Sequence, residues 1–208
     1  MEKRNTKELI LRESLKLFSK RGYDGVSVRD IAKAVGIRES ALYKHFSNKQ
    51  EIFDVIIERM ISKYNEASVN FNQPQGDDFA NLANTYSKNG IETLKTICTS
   101  IFLYWLNDEE ASMFRRLLYI EQVKNTVAGT TFKEVFIKSP IEYQTKLFTE
   151  MIKIGYFIKT DPKIMALEFY SPIFLLLNLY DNNSKKEKEA LDFIEKHVTQ
   201  FDNLYRRK

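Results

Sequence analysis

The residues between positions 27 and 49 have the types and order that suit contact with duplex DNA. Arg38 can reach a guanine edge or a phosphate, and Ser40 and Ala41 are small enough to admit close approach to base edges or a thymine methyl. Tyr43 and Lys44 offer a phenol and an ammonium for bases or backbone, and His45 adds a ring nitrogen. Ser27 and Lys49 stand at the starts of two helical segments, where backbone N–H groups without intrahelical partners suit phosphate oxygens.

Such side chains work only if something holds them outward, and the flanking pattern supplies it. A first helix is predicted over Thr6–Arg21, with Ile10, Leu11, Leu15 and Phe18 on one stripe and Gly22 as its stop. Ser27 is the expected N-cap of a second helix. Asp30 follows three residues later, Val28, Ile31, Ala32 and Val35 face inward, and Gly36 ends it. Across Val35-Gly36-Ile37 the chain turns into a third helix, Arg38–Phe46, with Leu42 and Phe46 inward. Asn48-Lys49-Gln50-Glu51 is a capping-box start for a fourth helix that continues past Met60. Two short helices around a glycine turn project the second outward, toward a major groove.

Charge distribution agrees. The net charge is +4, and residues 1–60 hold 13 Lys and Arg against 9 Asp and Glu, so the positive excess lies in that segment. With 43% hydrophobic and 29% charged residues, a folded globular chain is expected, and seven Gly and four Pro favour helices over turn-rich β structure. The first ten residues lack the apolar stretch of a signal peptide, and the apolar patch at Ile173–Leu177 is too short to span a bilayer, so a cytoplasmic protein with no membrane partner is expected. The single cysteine, Cys98, excludes an intramolecular disulfide and reads as a small buried hydrophobe. Two histidines, His45 and His197, lie far apart without a Cys or carboxylate cluster, so no metal site and no cofactor are expected. No carboxylate pair, nucleophile–base spacing or Gly-rich phosphate loop suggests an enzyme.

Helical periodicity continues to the end of the chain, and no strand pattern interrupts it. Asn70–Asp78 reads as a linker. Helix starts are expected at Asn107 with Glu110, at Ser139-Pro140-Ile141-Glu142, at Asp161-Pro162 and at Ser184-Lys185-Lys186-Glu187. The helix from Asp161 is apolar on nearly every face and carries Pro172 inside, which should bend it. Its cover is either a second copy of the chain or the rest of one domain. In the last helix Leu191, Ile194, Val198, Phe201 and Tyr205 form a seam for packing within or between chains. The aromatic residues Phe102, Tyr104, Trp105, Phe114 and Tyr119 either line a cavity or fill a core. The predicted fold class is all-α. A three-helix helix-turn-helix DNA-binding domain is expected over residues 1–50 and a helical-bundle domain over 51–208, to which the resemblance given next assigns ligand binding and dimerisation.

The run GYDGVSVRDIAKAVGIRESALYKHFSNKQEIF, with Phe18 and Gly22-Tyr23 before Val26-Ser27-Val28, then Ile31-Ala32, Val35-Gly36-Ile37, Leu42-Tyr43-Lys44-His45-Phe46 and Lys49, resembles the DNA-binding domain of the TetR family of repressors. The resemblance covers about residues 6–60 and rests on the ordered combination. It departs from the family at Arg38, where Ser or Thr is common, at Glu39, often basic, and at Val28, commonly Thr. The resemblance implies DNA contacts from Ser27, Arg38, Ser40, Tyr43, Lys44, His45 and Lys49. It also implies a homodimer on a palindromic operator, with the helices Pro140–Ile154 and that from Asp161 meeting their copies in a four-helix interface. A small apolar or amphipathic effector would bind among Phe102, Trp105, Phe114, Tyr119 and Phe169 and release a repressor from DNA. A regulator that works without ligand, through protein contacts, is the alternative.

Overall fold

The computed structural model describes residues 5–70, 78–181 and 186–208. Among these residues it is all-α: α1 (Thr6–Arg21), α2 (Val28–Val35), α3 (Glu39–Leu42), α4 (Lys49–Asn70), α5 (Phe79–Asn89), α6 (Ile91–Asn107), α7 (Glu109–Glu121), α8 (Thr126–Lys133), a π-helical turn (Glu134–Lys138), α9 (Ser139–Lys153), α10 (Pro162–Leu179) and α11 (Glu187–Tyr205). The extended pairing among them is one isolated bridge between Phe157 and Arg206. No described helix is long and apolar enough to cross a membrane.

The chain forms two compact units, Met1–Glu66 with Asp108–Phe132, and Ala67–Asn107 with Lys133–Lys208. Compactness thus divides the chain differently from the expected break after residue 50, because α7 packs along α1 and joins the first unit. There the α1 stripe of Ile10, Leu11, Leu15 and Phe18 is buried, as its spacing predicts, with Phe114, Leu117 and Leu118 of α7 buried in the same unit. Each such side chain contributes roughly 1.5–3 kcal/mol when fully buried. Phe18, Tyr23 and Phe53 pack ring against ring with centroids 5.2–6.0 Å apart, which seats α4 and the chain after α1 together.

The second unit is organised around rings. Phe148 of α9 lies 5.6 Å from Phe157, 5.5 Å from Phe169 of α10 and 5.4 Å from Phe201 of α11. Ala190, Ile194, Val198 and Phe201 are buried, so the α11 seam packs within the chain, where α11 meets α6 and α10. Met165, Ala166, Phe169 and Leu177 are buried on α10, while Ile164, Leu167, Leu175 and Leu179 are exposed.

Several local expectations are corrected. The third helix is shorter than Arg38–Phe46, with Arg38 as N-cap and single turns after Leu42. Asp108, not Asn107, caps α7, because its carboxylate accepts from the Ala111 N–H at 2.8 Å while the Asn107 amide donates to Glu187 at 2.7 Å. The α-helix expected at Ser139-Pro140 does begin there, as α9 with Pro140 in its first turn, but Ser139 is not its N-cap, since Lys138 before it is already helical (φ −71°, ψ −57°) and the π-helical turn runs directly into α9. Pro140 has no N–H to give to the Phe136 carbonyl one turn back. The Tyr170 hydroxyl donates to that carbonyl instead, at 2.7 Å. Asp161 caps α10 as expected, accepting from Lys163 and Ile164, with Pro162 in the first turn. The predicted start at Ser184 and all of the linker except its end residues Asn70, in α4, and Asp78, which caps α5, lie outside the described residues.

Candidate nucleic-acid interface

The start of α2 is set by a reciprocal capping box. The Ser27 hydroxyl accepts from the Asp30 N–H at 3.1 Å, and the Asp30 carboxylate accepts from the Ser27 N–H at 2.9 Å and hydroxyl at 2.8 Å. These bonds, with Arg21 beside them, hold the Asp30 carboxyl below its ordinary value. Gly36 ends α2 in the left-handed region (φ 76°, ψ 36°), letting the Ile37 N–H reach the Ala32 carbonyl at 3.0 Å. A Cβ there would meet no atom within 4 Å, so conformation rather than space calls for glycine.

After this turn α3 is one short helical segment, pinned by Leu42 and Phe46, both buried. Past Leu42 the bonds tighten: the Lys44 N–H reaches Ala41 and the His45 N–H reaches Leu42, three residues back. Arg38, whose guanidinium has no acceptor to offer the first N–H groups of α3, makes no side-chain capping bond and is exposed. Arg38, Ser40, Lys44 and His45 are exposed, Tyr43 is 51% exposed, and Ala41 is half-buried. One face therefore presents a guanidinium, an ammonium, a phenol, a hydroxyl and an imidazole, with a small residue between them.

The start of α4 is a near variant of the expected box: the Asn48 side chain accepts from the Glu51 N–H at 2.9 Å, but the Glu51 carboxylate accepts from the N–H of Ser47, one residue before the cap. That bond holds the Glu51 carboxyl below its usual range. Lys49, expected to face a phosphate, is only half-exposed; its ammonium donates to the carbonyls of Tyr23 and Val26, each at 2.9 Å, and lies 3.9 Å from the centre of the Tyr23 ring. Burial, with Asp54 and Asp24 nearby, pushes the Tyr23 phenol up.

One residue here has no signal in local sequence. Glu121, last in α7 and 2% exposed, accepts from the Tyr23 N–H at 2.8 Å across 98 positions. A complementary clue is Gly22, at φ 70°, where a Cβ would stand 2.7 Å from the Glu121 carboxylate.

The five residues expected around an effector fall in different units. Phe102, Trp105 and Phe169 are buried in the second unit, where Trp105 lies 4.6 Å from Phe136 and Phe169 joins the phenylalanine cluster. Phe114 is buried in the first unit, and Tyr119 there is 55% exposed with its ring 6.0 Å from Phe132. Burial pushes the Cys98 thiol up to about 12.

Residues 10–56 match the family model of bacterial regulatory proteins, tetR family. The chain is 38% identical over 58 residues to the biofilm operon icaADBC HTH-type negative transcriptional regulator IcaR of Staphylococcus epidermidis. That match takes in 28% of this chain and 31% of the relative, so the chain spans less than a third of the relative's length. Similarity of fold reaches further. SmeT, the repressor of the Stenotrophomonas maltophilia multidrug efflux pump SmeDEF, superposes with a TM-score of 0.64 at 17% identity, covering 99% of this chain and 92% of SmeT. AibR in complex with isovaleryl coenzyme A and operator DNA superposes with a TM-score of 0.65 at 15% identity, covering 94% and 97%.

Proposed function

We propose that this chain is a member of the tetR family of bacterial regulatory proteins, whose model its residues 10–56 match, and that it is a sequence-specific DNA-binding transcriptional repressor. The observation that carries the proposal is the outward face of α3. Arg38, Ser40, Tyr43, Lys44 and His45 are exposed there, while Leu42 and Phe46 anchor the same segment in the core. Arg38 and Tyr43 read base edges. Lys44, His45 and Ser27 meet the sugar-phosphate backbone, and Ala41 lets the segment approach closely.

One segment of this length reads too few base pairs for useful specificity. A homodimer on a palindromic operator, its reading segments one helical turn or about 34–36 Å apart, meets the need. Support comes from α10, whose Ile164, Leu167, Leu175 and Leu179 recur along an exposed side, the last two 65% exposed each. Apolar residues at this spacing call for a partner helix, and a copy of α10 from a second chain is suited to cover them. Within the chain α9 packs against α10, the pair expected to meet its copies in a four-helix interface.

Release by a small apolar or amphipathic effector extends the same reading. Such a ligand must favour the arrangement that does not bind DNA. AibR, solved with both an acyl-coenzyme A and operator DNA, supports it by likeness of fold. The rival reading, regulation through protein contacts without ligand, is favoured by the burial of Phe102, Trp105 and Phe169, rings that fill a core. In either case the protein works in the cytoplasm, where its DNA is.

Selection of bound duplexes from a random library, followed by anisotropy titrations, tests the proposal. Lys44→Ala should weaken every duplex and lower the salt slope by about 1, while Arg38→Ala and Tyr43→Ala change which duplex is preferred. Equal losses on all sequences for all three variants refute this division of roles.

A further inference from the structure

We infer that Lys49 and Glu121 are positioning residues for DNA recognition: they grip the backbone of Tyr23 from two sides and so set where the reading segment stands. The inference rests on the proposed DNA-binding function and assigns Lys49 a task other than phosphate contact.

The grip is complete at Tyr23. Its N–H donates to the Glu121 carboxylate at 2.8 Å and its carbonyl accepts from the Lys49 ammonium at 2.9 Å. Its ring lies 3.9 Å from that ammonium and packs against Phe18 and Phe53. The same ammonium takes the Val26 carbonyl at 2.9 Å, immediately before the Ser27 cap. The connection Gly22–Val26 is thereby tied to α4 through Lys49 and to α7 through Glu121, and it sets the start of α2. From α2, the Gly36 turn and the anchors Leu42 and Phe46 carry the placement to α3.

An ammonium has three N–H bonds, and two of those of Lys49 are committed to carbonyls while an aromatic face covers it. At most one N–H is left for a phosphate, while the other two order the reading head. Glu121 is equally committed, since a buried carboxylate must keep its donors. Gly22 makes room for it, with a positive φ and no Cβ to meet the carboxylate at 2.7 Å. The other end of α7 is tied as well. Glu109 pairs with Arg12 of α1 at 3.1 Å, and Glu110 pairs with Lys63 and, at 3.8 Å, with Arg59 of α4. The helix that carries Glu121 thus packs along α1 and is ion-paired to α1 and α4.

The test uses the full chain with a duplex selected by the wild type and with a random duplex. Anisotropy titrations run at several salt concentrations for wild type, Lys49→Met, Lys44→Ala, Glu121→Ala and Glu121→Gln. Lys49→Met and Glu121→Ala should each lose roughly tenfold in affinity for the selected duplex, as expected for loss of a charge-assisted hydrogen bond, with the salt slope unchanged. Lys44→Ala is the contrast, lowering the slope by about 1. Glu121→Gln keeps an oxygen acceptor and recovers most of the loss. Amide exchange at Tyr23, read by NMR without DNA, should speed by roughly tenfold or more in Glu121→Ala and stay near wild type in Glu121→Gln. Thermal unfolding of each variant separates a misplaced head from an unfolded one.

A salt slope lowered by about 1 in Lys49→Met makes Lys49 a phosphate contact and overturns its part. Unchanged affinity and unchanged Tyr23 exchange in Glu121→Ala overturn the other part. A wild type that selects no duplex overturns the proposed function instead, and Tyr23 exchange still decides whether the grip exists.

Discussion

The unit that holds α1–α3 and the unit that holds α9–α11 are both helical, yet they are specified by different forces. In the first, directional bonds name their residues: the Ser27–Asp30 box, the left-handed Gly36, the Lys49 ammonium on two carbonyls and Glu121 on Tyr23. In the second, the phenylalanine cluster and the α11 seam ask for size and spacing. A hydrogen bond in a tight turn tolerates few side chains, whereas a core accepts many combinations of apolar residues at similar volume. The extent of likeness fits this difference. The family model matches residues 10–56, while SmeT and AibR share the fold over nearly the whole chain at 17% and 15% identity.

Substitutions can break or sharpen the contrast, and the largest effect is expected in the ring cluster. Phe148→Ala should cost about 3–5 kcal/mol by leaving a cavity, whereas Phe148→Leu should cost clearly less; urea unfolding measures both. Equal costs would deny that volume is what this unit demands.

Gly22→Ala changes a single methyl in the first unit and should still cost about 1–3 kcal/mol, since it forces a positive φ on a residue with a Cβ and displaces Glu121. If unfolding shows no loss, the directional account of this unit fails. On the outer side of α10, Leu175→Glu with Leu179→Glu should leave the fold intact and shift sedimentation from the proposed dimer to monomer. A double variant that remains dimeric places the interface elsewhere.

The capping box gives a smaller effect. Ser27→Ala should cost about 1 kcal/mol in urea unfolding. It should also raise the Asp30 pKa toward its ordinary 3.8, which an NMR titration reads directly. The sign follows from linkage. With the folded pKa depressed, the contribution of the Asp30 carboxylate is present above pH 3.8 and is lost as pH falls through its folded value. A cap contribution that fades between pH 7 and 5 would contradict this. Smallest of all is the expected signal at Cys98: with its thiol pushed up to about 12 and nearly buried, the folded chain should react with disulfide reagents only slowly at neutral pH.

What was legible in the residues alone was short-range. The α1 stripe, the Ser27 box, the Gly36 stop and the Asp161-Pro162 start all arise between side chains and backbone within about one helical turn, so their spacing along the chain reveals them. The exposed set on α3 was legible for the same reason, since burial of Leu42 and Phe46 leaves their neighbours outside. Where two short-range rules competed, the reading slipped: Asp108 displaced Asn107 as a cap.

Tertiary structure alone decided the rest. Nothing near Glu121 in sequence announces Tyr23, 98 residues away, and nothing near Lys49 tells its ammonium to turn inward rather than toward solvent. An all-apolar pattern cannot say which side of α10 is covered within the chain and which is left exposed, because every face satisfies the same periodicity. Spacing along a helix encodes partners one turn away. Partners brought together by folding are encoded only by the packing of the whole unit, which no local window contains.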